Sequence, residues 1–581
     1  MFMLKTFRPL YLSTRHVSST GLPLLARALA TQASSDKYAE ILAAKHDELK
    51  DMDRKEVEID GQSIMLSRLN GRYYATSNFC THYGGKLSES PLASDGRVTC
   101  KLHGACFNVK TGRVEDAPAL DNLNTYEVCV KDDGIYVKAD RKALKEARHL
   151  PPYAKRDSES KETVVIIGGG ASGASAAQKL REENFRGRIR IVSRENYLPI
   201  DRIKITKQLG INDVNAITLR SQEFWDSLDI EFQLNTDADS VDTQKKQVLL
   251  NNGDKWSYDH LILASGGWPK KLGLEGENLG NVFTMRTLDD NRNLGRTIHS
   301  IKKTAGRKPR VVIIGSSFIG MEIAAAISGE AQATVIGKDA VPFTKILGEQ
   351  IGQALQKKHA SKGVQFIMEA DVKSFQPKAD DPSNVGSVIV DGKGEIDVDA
   401  VIVAVGVAPQ TNYLSTTDLP MAKDKSLIVD EYFRVKGTDN VYATGDIATF
   451  PYQHTGEQTR IEHWGYSENT GRTVAMNIAK HNDKHPFTHI PYFWTVQFGT
   501  TLRYAGHAKA FDEVIINGNI DQVDDYSFVG YYAKNNEILA VSSYNKDPVV
   551  SYCAELLRIG KMPTAADIRK GIDPLKIPLV V

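Results

Sequence analysis

The sequence is poor in cysteine, in long apolar runs and in net charge. Its 581 residues include 5 cysteines, too few for a disulfide framework. No uninterrupted apolar run reaches about 18 residues, so the sequence predicts no transmembrane helix. Lys and Arg number 73 against 72 Asp and Glu, and this near-neutral balance gives no reason to expect nucleic-acid binding.

Acidic residues are also missing from the N-terminal segment. Residues 1–35 contain Lys and Arg and many Ser and Thr, with no acid before Asp36. This composition is typical of a mitochondrial transit peptide. A secretory signal is one rival, although Arg27 interrupts the apolar stretch, and a disordered basic tail is the other. We therefore expect a mitochondrial protein, with a cytoplasmic location as the alternative.

The periodicity divides the rest of the chain, whose length allows about three to four domains. Residues 36–50 are predicted to be a polar helical or linking segment. Short alternating runs between Gly and Asn turns predict an all-β domain over 51–139. The charged, Pro-containing residues 140–161 predict an exposed linker. Buried strands then alternate with helices from Thr163, and a smaller mixed region follows from about residue 485.

Cysteine and histidine recur in two boxes of the all-β segment. The first is Cys-Thr-His at residues 80–82 and the second is Cys-Lys-Leu-His at residues 100–103. Two thiolates and two imidazoles are the ligand set of a Rieske [2Fe–2S] cluster. A zinc site uses the same ligands, but usually pairs Cys with Cys and His with His. Residues 51–139 thus resemble a Rieske ferredoxin-type domain, with these metal ligands: Cys80, His82, Cys100 and His103.

This domain departs from the respiratory-chain Rieske proteins that it resembles. Those proteins carry an extra Cys in each box, which together form a disulfide, whereas Gly85 and Leu102 stand at these positions here. Ala105 replaces a Ser that binds the cluster by a hydrogen bond. Fewer hydrogen bonds to the cluster sulfurs imply a lower, ferredoxin-like potential.

A glycine-rich turn at residues 168–173 follows a buried strand and opens a helix. Gly168 permits the tight turn, Gly170 lets the backbone approach a pyrophosphate, and Gly173 allows the helix to pack closely on the strand. The N-terminus of the helix favours the phosphates. Glu195 follows the next strand, where an acid that binds a ribose is expected, and the alternative is a solvated loop acid.

The same pattern recurs at residues 311–327 as a second nucleotide module. Gly315 and Gly320 hold the first and last glycine positions, Ser317 replaces the middle one, and Glu322 follows. The sequence therefore predicts two dinucleotide sites in one chain.

The second module departs from the usual pattern after its next strand. Gly337 and Lys338 stand where a module that prefers NADH carries a carboxylate. Loss of the acid removes the repulsion of a 2′-phosphate, and Lys338 could attract one. The sequence leaves NADH and NADPH both open.

Residues 162 to about 480 resemble the two-dinucleotide-domain flavoproteins, which include ferredoxin reductases of oxygenase systems and apoptosis-inducing factors. The matching segments include YLPIDRIKITK, YDHLILASGGWPK, NVYATGDIATF and EHWGYSENTGR, and PYFWTVQFGTTLRYAGH resembles the start of a C-terminal reductase domain. The resemblance implies an α/β two-dinucleotide-binding-domain flavoprotein (Rossmann-like) with an N-terminal all-β Rieske domain and a C-terminal α+β reductase domain. The implied domains are FAD-binding 162–290 and 411–482, NAD(P)H-binding 291–410, and reductase 485–581.

The resemblance also implies residues that contact the cofactors. In the FAD part these are, besides the glycines and Glu195 above, Arg202, Lys207, Ala264, Gly266, Gly445, Asp446 and Trp464. Asp446 would bind the ribityl chain, and Glu462 and His463 would lie near the isoalloxazine. In the NAD(P)H part they are Gly315, Gly320, Glu322 and Lys338.

These features predict an oxidoreductase that passes electrons from NAD(P)H through FAD to the Rieske cluster. The final acceptor is an unknown one-electron carrier, a protein or a quinone-like molecule. No Cys lies between Cys129 and Cys553, which excludes the Cys-x-x-Cys mechanism of glutathione reductases. The linker allows a swinging Rieske domain, and the sequence allows an oligomer.

Two other functions stay open. The resemblance to the Rieske-containing apoptosis-inducing factors allows a redox-gated signalling or assembly protein with slow turnover. The resemblance to the ferredoxin reductases allows an electron supplier for a separate oxygenase.

Overall fold

The computed structural model describes residues 37–146, 148–480 and 484–581. The predicted transit peptide, 1–35, lies outside the described residues. Among the residues that are described, no helix is long and apolar enough to cross a membrane.

An antiparallel six-stranded sheet forms most of the N-terminal domain. Its order is β1-β9-β8-β4-β3-β2, with β1 Tyr38–Ala44, β2 Arg54–Ile59, β3 Gln62–Leu69, β4 Arg72–Ser77, β8 Thr125–Lys131 and β9 Gly134–Asp140. The turns Asp60-Gly61 and Asn70-Gly71 have positive φ at both residues, as two-residue hairpin turns require. The predicted all-β fold of this domain is confirmed.

Strand β1 corrects one prediction. Residues 36–50 were expected to be helical or linking, but Tyr38–Ala44 pairs antiparallel with β9. Ala39, Ala43 and Ala44 are buried in the core of the domain. Alanine has little intrinsic preference for strands, so only this long-range pairing reveals the strand. The domain therefore begins near Tyr38 and not at residue 51.

A second, three-stranded sheet carries the second Cys/His box between its first two strands, and the first box follows β4 of the large sheet. The smaller sheet comprises β5 Arg97–Thr99, β6 Cys106–Asn108 and β7 Val114–Asp116. After β9 come helix α1, Arg141–Lys145, and a coil that leads into the next domain. This coil is anchored, because His149 bridges to Asn122 and Tyr153 packs on the core of the following domain.

The first nucleotide module is a parallel five-stranded sheet. Its order is β12-β11-β10-β16-β28, with β10 Thr163–Ile167, β11 Arg188–Val192, β12 Ile230–Gln233, β16 His260–Leu263 and β28 Val441–Ala443. Helices α2 Ala171–Glu182, α3 Gln222–Ser227 and α8 Trp464–Ala479 belong to it. Small sheets complete it: β13 Ala238–Asp242, β14 Gln247–Leu250, β15 Lys255–Ser257, β17 Gly267–Pro269, β26 Val407–Pro409, β27 Leu427–Ile428, β29 Ala448–Pro451 and β30 Gln458–Thr459.

The second module repeats the design. Its parallel order is β18-β25-β19-β20-β21, with β18 Val282–Phe283, β19 Arg310–Ile314, β20 Gln332–Ile336, β21 Gln365–Ile367 and β25 Ala400–Val403. The sheet β22 Val372–Lys378, β23 Asp381–Val390 and β24 Gly394–Asp397 and helices α4 Leu288–Ala305, α5 Phe318–Ile327, α6 Thr344–Leu347 and α7 Glu349–Ser361 complete it. Because β18 pairs with β25, the module begins near Val282, earlier than the predicted residue 291.

The C-terminal domain is an antiparallel sheet covered by helices. Its order is β31-β32-β35-β34-β33, with β31 Tyr492–Gln497, β32 Thr500–Gly506, β33 Glu513–Asn519, β34 Ser527–Lys534 and β35 Glu537–Tyr544. Helices α9 Val549–Arg558 and α10 Ala565–Arg569 follow. One apolar core joins this sheet to the second nucleotide module, with Ile313 and Leu502 both inside it.

Candidate active site

The two Cys/His boxes form loops with the same backbone hydrogen bonds. In the first, the Cys80 N–H donates to Gly85 O (2.9 Å) and the Gly84 N–H donates to Cys80 O (2.9 Å). In the second, the Cys100 N–H donates to Ala105 O (2.8 Å) and the Gly104 N–H donates to Cys100 O (3.0 Å). Each turn has a glycine at positive φ, +71° at Gly84 and +74° at Gly104, a conformation that glycine adopts without steric cost.

This symmetry brings like ligands together. The Nδ1 atoms of His82 and His103 lie 3.1 Å apart. The thiols of Cys80 and Cys100 are buried and hydrogen-bonded to each other, which raises the pKa of Cys80 and lowers that of Cys100. A thiol pair beside an imidazole pair fits two irons, each held by one kind of ligand.

Both imidazoles are held neutral, the form that binds a metal. Burial, with Lys204 and Arg148 nearby, lowers the pKa of His82 to about 3. Burial, with His82 and Arg503 nearby, lowers the pKa of His103 to about 2. Within 37–146, 148–480 and 484–581 no three His, Cys, Asp or Glu residues are grouped to hold one ion, and the four predicted ligands lie as one thiol pair and one imidazole pair.

The positions of the missing loop disulfide face each other. A Cβ on Gly85 would lie 2.8 Å from Leu102 Cδ1 and 2.9 Å from Cys100 Sγ. Leu102 thus fills the place that a second sulfur would take, and apolar contact replaces the covalent bridge.

A cleft of about 780 Å³ opens at the carboxyl ends of β10 and β16, where the strand order of the first module reverses. Such a switch point is where open α/β sheets bind nucleotides. The cleft is lined by eleven of the residues predicted from the sequence: Gly168, Gly170, Glu195, Arg202, Ala264, Gly266, Gly445, Asp446, Glu462, His463 and Trp464.

The glycines of the first turn have the predicted geometry. A Cβ on Gly168 would lie 2.2 Å from Ala264 O, and one on Gly173 would lie 2.0 Å from Gly168 O. A Cβ on Gly170 meets nothing within 4 Å, so its backbone faces the open cleft. The turn is therefore a cradle that a phosphate can approach closely.

Two acid–arginine pairs cross the cleft. The Arg202 guanidinium donates to both Glu195 oxygens (2.8 and 2.7 Å), and this pairing outweighs burial and lowers the pKa of Glu195. Arg286 donates to Asp446 Oδ2 (3.3 Å), whose other oxygen accepts from Ser467 (3.2 Å). Arg286 was not predicted, because it stands in no recognisable motif.

The cleft fits FAD chemically. Two of its polar atoms, Thr444 Oγ1 and His463 Nδ1, are buried without a hydrogen-bond partner. Burial lowers the pKa of His463 to about 3, so its ring is neutral. A cofactor with phosphates, ribityl hydroxyls and a flat heteroaromatic ring meets the open Gly170 cradle, the cleft arginines and these orphaned atoms.

Lys207 and Glu322 are not among the residues that line this cleft. Glu322 is buried, and its carboxylate accepts from Thr206 (2.5 Å), Lys207 (2.9 Å) and Thr495 (2.7 Å). It joins both nucleotide modules to the C-terminal domain, and its predicted cofactor contact remains a prediction.

The second turn matches the first. A Cβ on Gly315 would lie 2.3 Å from Ala404 O, and one on Gly320 would lie 2.0 Å from Gly315 O. Ser317 precedes α5 without a side-chain cap hydrogen bond, so its hydroxyl is available to a ligand. Lys338 is exposed and ion-paired with Asp371.

Strand β31 separates the cleft from the cluster loops. Phe493 packs on His463 of the cleft, with ring centroids 4.5 Å apart. On the other face, Trp494 packs on His103 (4.2 Å) and His82 (5.8 Å). From the sequence, this segment was expected only to begin the C-terminal domain. Neighbouring residues of a strand face opposite sides of the sheet, and this alternation could have pointed to Phe493 and Trp494.

The Rieske-like domain is docked on the rest of the chain through its cluster loops. Arg503 Nε donates to Leu102 O (2.7 Å), and Tyr83 Oη donates to Asp201 (2.8 Å). Thr99 Oγ1 donates to Glu555 (2.7 Å) from the adjoining strand. The C-terminal domain and the first nucleotide module therefore both hold the cluster loops.

Comparison with known proteins agrees with this architecture. The model of the pyridine nucleotide-disulphide oxidoreductases matches residues 162–471, more than half of the chain. The chain belongs to this family. The Rieske [2Fe-2S] domain model matches residues 39–127 of this oxidoreductase, and the reductase C-terminal model matches 492–577.

Individual relatives cover most of the chain. Apoptosis-inducing factor 3 of Homo sapiens is 34% identical over 87% of this chain and 82% of its own. Rubredoxin-NAD(+) reductase of Pseudomonas putida is 27% identical over 62% of this chain and 91% of its own. The crystal structure of a ferredoxin reductase from Rhodopseudomonas palustris superposes with a TM-score of 0.65 at 26% identity, over 72% of this chain and all (100%) of that one.

The protein is therefore an NAD(P)H-dependent flavoprotein oxidoreductase with a Rieske domain, related to the ferredoxin reductases. Its cofactors are FAD, NAD(P)H and a [2Fe–2S] cluster. The fold class predicted from the sequence is confirmed.

Proposed function

We propose that this protein takes electrons from NAD(P)H and passes them through FAD and its own Rieske cluster to an external one-electron acceptor. FAD, when bound, accepts hydride, and the cluster carries single electrons. The observation that best supports the proposal is the position of β31, with Phe493 on the cleft side and Trp494 against both cluster imidazoles.

The docked domain supports a direct internal relay. The two imidazole ligands lie against Trp494 and not out in solvent, and the loop that follows His82 is tied by Tyr83 to Asp201, the neighbour of the cleft residue Arg202. The protein's own contribution is to fix the distance and exclude water between the two sites. A swinging domain would have to break these contacts in every turnover.

The acceptor is inferred to be a redox protein. Rubredoxin-NAD(+) reductase and putidaredoxin reductase, both from Pseudomonas putida, are named for small redox proteins. In this chain, the Rieske domain occupies the face of β31 that bears Trp494. We infer that the acceptor takes its electrons from the cluster and not from the flavin.

Anaerobic titration with NADPH or NADH tests the proposal. We expect the visible spectrum to show the flavin bleaching, and electron-paramagnetic resonance to show a reduced Rieske signal that appears with it. His103→Ala, which removes one iron ligand, is the matched control and should keep the flavin bleaching but lose the signal. Bleaching of the flavin with a cluster that stays oxidised in the wild-type protein would refute the relay.

The likeness to apoptosis-inducing factor 3 favours a second candidate, a redox-gated signalling protein of the mitochondrion. The basic, acid-free residues 1–35 support the same location. Import of a reporter fused to residues 1–35 into isolated mitochondria tests whether this segment directs mitochondrial targeting. A nucleotide-dependent change of oligomeric state with poor turnover would favour signalling, and rapid reduction of one-electron acceptors would favour the enzyme.

A further inference from the structure

The end of β20 lies directly beside the second glycine-rich turn. The Gly315 N–H donates to Ile336 O (2.9 Å), which places residue 337 next to Ser316. In dinucleotide modules the adenosine ribose reaches this place, where an acid binds the 2′-hydroxyl of NADH and a cation accommodates the 2′-phosphate of NADPH. The residues here therefore decide which nucleotide fits.

At Gly337 itself, any side chain would have to push aside two neighbouring side chains. A Cβ there would lie 2.6 Å from Ser316 Oγ and 2.7 Å from Met368 Cε. The backbone is also held on both sides, because the Gly337 N–H donates to Ile367 O (3.0 Å) and its carbonyl accepts from the Ala370 N–H (3.0 Å). A carboxylate at residue 337 itself would therefore have to displace Ser316 and Met368, and the acid at this strand end is Asp339, two residues further on.

Two lysines follow this glycine, and each forms an exposed ion pair whose carboxylate a phosphate could displace. Lys338 Nζ lies 2.6 Å from Asp371, and the two side chains are 75% and 51% exposed. Lys345 Nζ lies 3.9 Å from Asp339, and its side chain is 83% exposed. Exposed ion pairs contribute little, whereas hydrogen bonds from ammonium groups to a phosphate dianion are among the strong ones. A 2′-phosphate can therefore displace both carboxylates.

Asp339 is the rival, as an acid that could bind the ribose of NADH. In the first module the Gly168 N–H donates to Val192 O (2.9 Å), so Asp339 is the register equivalent of Glu195. The two differ in their surroundings, because Glu195 is bound by a bidentate arginine inside a cleft and Asp339 is partly exposed with one distant lysine.

We propose that Lys338 and Lys345 bind the 2′-phosphate and that NADPH is the preferred reductant of this protein. The preference rests on the proposed function, because it appears in turnover only if the nucleotide reduces the flavin. The binding of the phosphate does not depend on the flavin and can be measured separately.

Calorimetric titration of the full chain with 2′,5′-ADP and with 5′-ADP tests the binding step. We expect 2′,5′-ADP to bind more tightly by at least about tenfold, the effect of one charge-assisted hydrogen bond. Lys338→Ala and Lys345→Ala should each remove much of this difference. Lys302→Ala changes a lysine in an exposed ion pair with Glu330, which comes before β20 and so lies at the opposite end of that strand. It is the matched control, for which we expect no change.

Stopped-flow bleaching of the flavin by each nucleotide then tests the preference. At limiting concentration, NADPH should reduce the flavin faster than NADH does. Each lysine variant should slow the reduction by NADPH and leave the rate with NADH unchanged. Equal binding of the two ADP ligands, or a loss of NADH reduction in Asp339→Asn with NADPH unaffected, would overturn the inference. Failure of both nucleotides to bleach the flavin, with 2′,5′-ADP still bound selectively, would instead refute the proposed function and leave the phosphate site standing.

Discussion

Glu468 is a carboxylic acid that the fold keeps almost entirely from water. It lies on α8 between Trp464 of the cleft and Asn469, which accepts a hydrogen bond from Ala117 of the Rieske domain (2.8 Å). Its Oε2 atom has no hydrogen-bond partner. Burial and the neighbouring Asp201 raise the pKa of Glu468 well above its usual range, and Arg472 only partly opposes them. The folded protein therefore holds this acid protonated.

This raised pKa has a definite consequence for stability. Above about pH 4.3 the unfolded chain releases the proton that the folded chain keeps, so the stability contributed by neutral Glu468 is lost as pH rises. Glu468→Gln carries a permanently neutral group of the same shape. We expect its melting temperature, relative to the wild type, to rise between pH 5 and pH 8, measured by thermal unfolding of the holoprotein.

The exposed Glu457 provides the control for this measurement. Glu457→Gln should show no change in relative melting temperature over the same pH range. If the melting temperature of Glu468→Gln relative to the wild type is also the same at every pH, the Glu468 carboxyl is ionised in the folded protein.

Single residues differ in how far the sequence reveals them. The turn glycines and the four predicted cluster ligands follow from local spacing, because the geometry of each loop is set within a few residues. Arg286 could not be assigned, and the alternation along β31 could not show what Trp494 contacts, since the partners of both residues lie far away in the chain. Glu322 stands in the predicted motif, but its role as a joint between three domains depends on Thr206, Lys207 and Thr495.

Some secondary-structure elements are likewise predictable from the sequence and others are not. The hairpins of the Rieske domain are predictable because Asp-Gly and Asn-Gly turns fix their register. The βα units are predictable because a buried strand, a glycine turn and a helix follow in order. Strand β1 is not, because the strand with which it pairs, β9, lies about ninety to a hundred residues later and its inward side chains are alanines.

Burial along β1 gives a prediction at this scale. Ala43 is 5% exposed in the core of the Rieske domain, whereas its neighbour Leu42 is 48% exposed. Ala43→Asp would bury an unpaired charge and should lower the free energy of unfolding by more than about 2 kcal/mol. We expect loss of the cluster chromophore at lower denaturant concentration.

Leu42→Asp is the matched control, one residue away on the same strand. It places the same charge in solvent and should change the unfolding free energy by less than about 1 kcal/mol. Equal effects of the two substitutions would mean that β1 does not pack on this core.

The whole molecule is held together by contacts that cross between its domains. A strap, residues 577–581, runs from the C-terminal domain onto the Rieske domain. The Ser94 N–H donates to Leu579 O (2.9 Å), the Val581 N–H donates to Ser94 Oγ (2.9 Å), and Leu579 is buried with Ala93. Together with the bonds from Thr99 to Glu555 and from Arg472 to Val114 O (3.0 Å), the strap fixes the docked position.

Breaking the strap should loosen the docked domain. We expect Leu579→Asp to slow electron transfer to the cluster by at least about tenfold, because burying the charge disrupts the contact with Ala93. Flavin bleaching by NADPH should not change, since the nucleotide modules are untouched. Stopped-flow spectroscopy at the two chromophores measures both rates.

Val580→Asp is the control within the same strap, because its side chain is 42% exposed. It should leave both rates as in the wild type. Unchanged cluster reduction in Leu579→Asp would show that the docked arrangement does not depend on the strap.

The internal relay requires that the flavin reduce the cluster of the same chain. Anaerobic stopped-flow mixing with NADPH, repeated over a tenfold range of protein concentration, tests it most directly. We expect the flavin to bleach first, the cluster signal to follow, and the rate of this second phase to be independent of protein concentration. A second phase that accelerates in proportion to protein concentration, or a cluster that is never reduced, would contradict it.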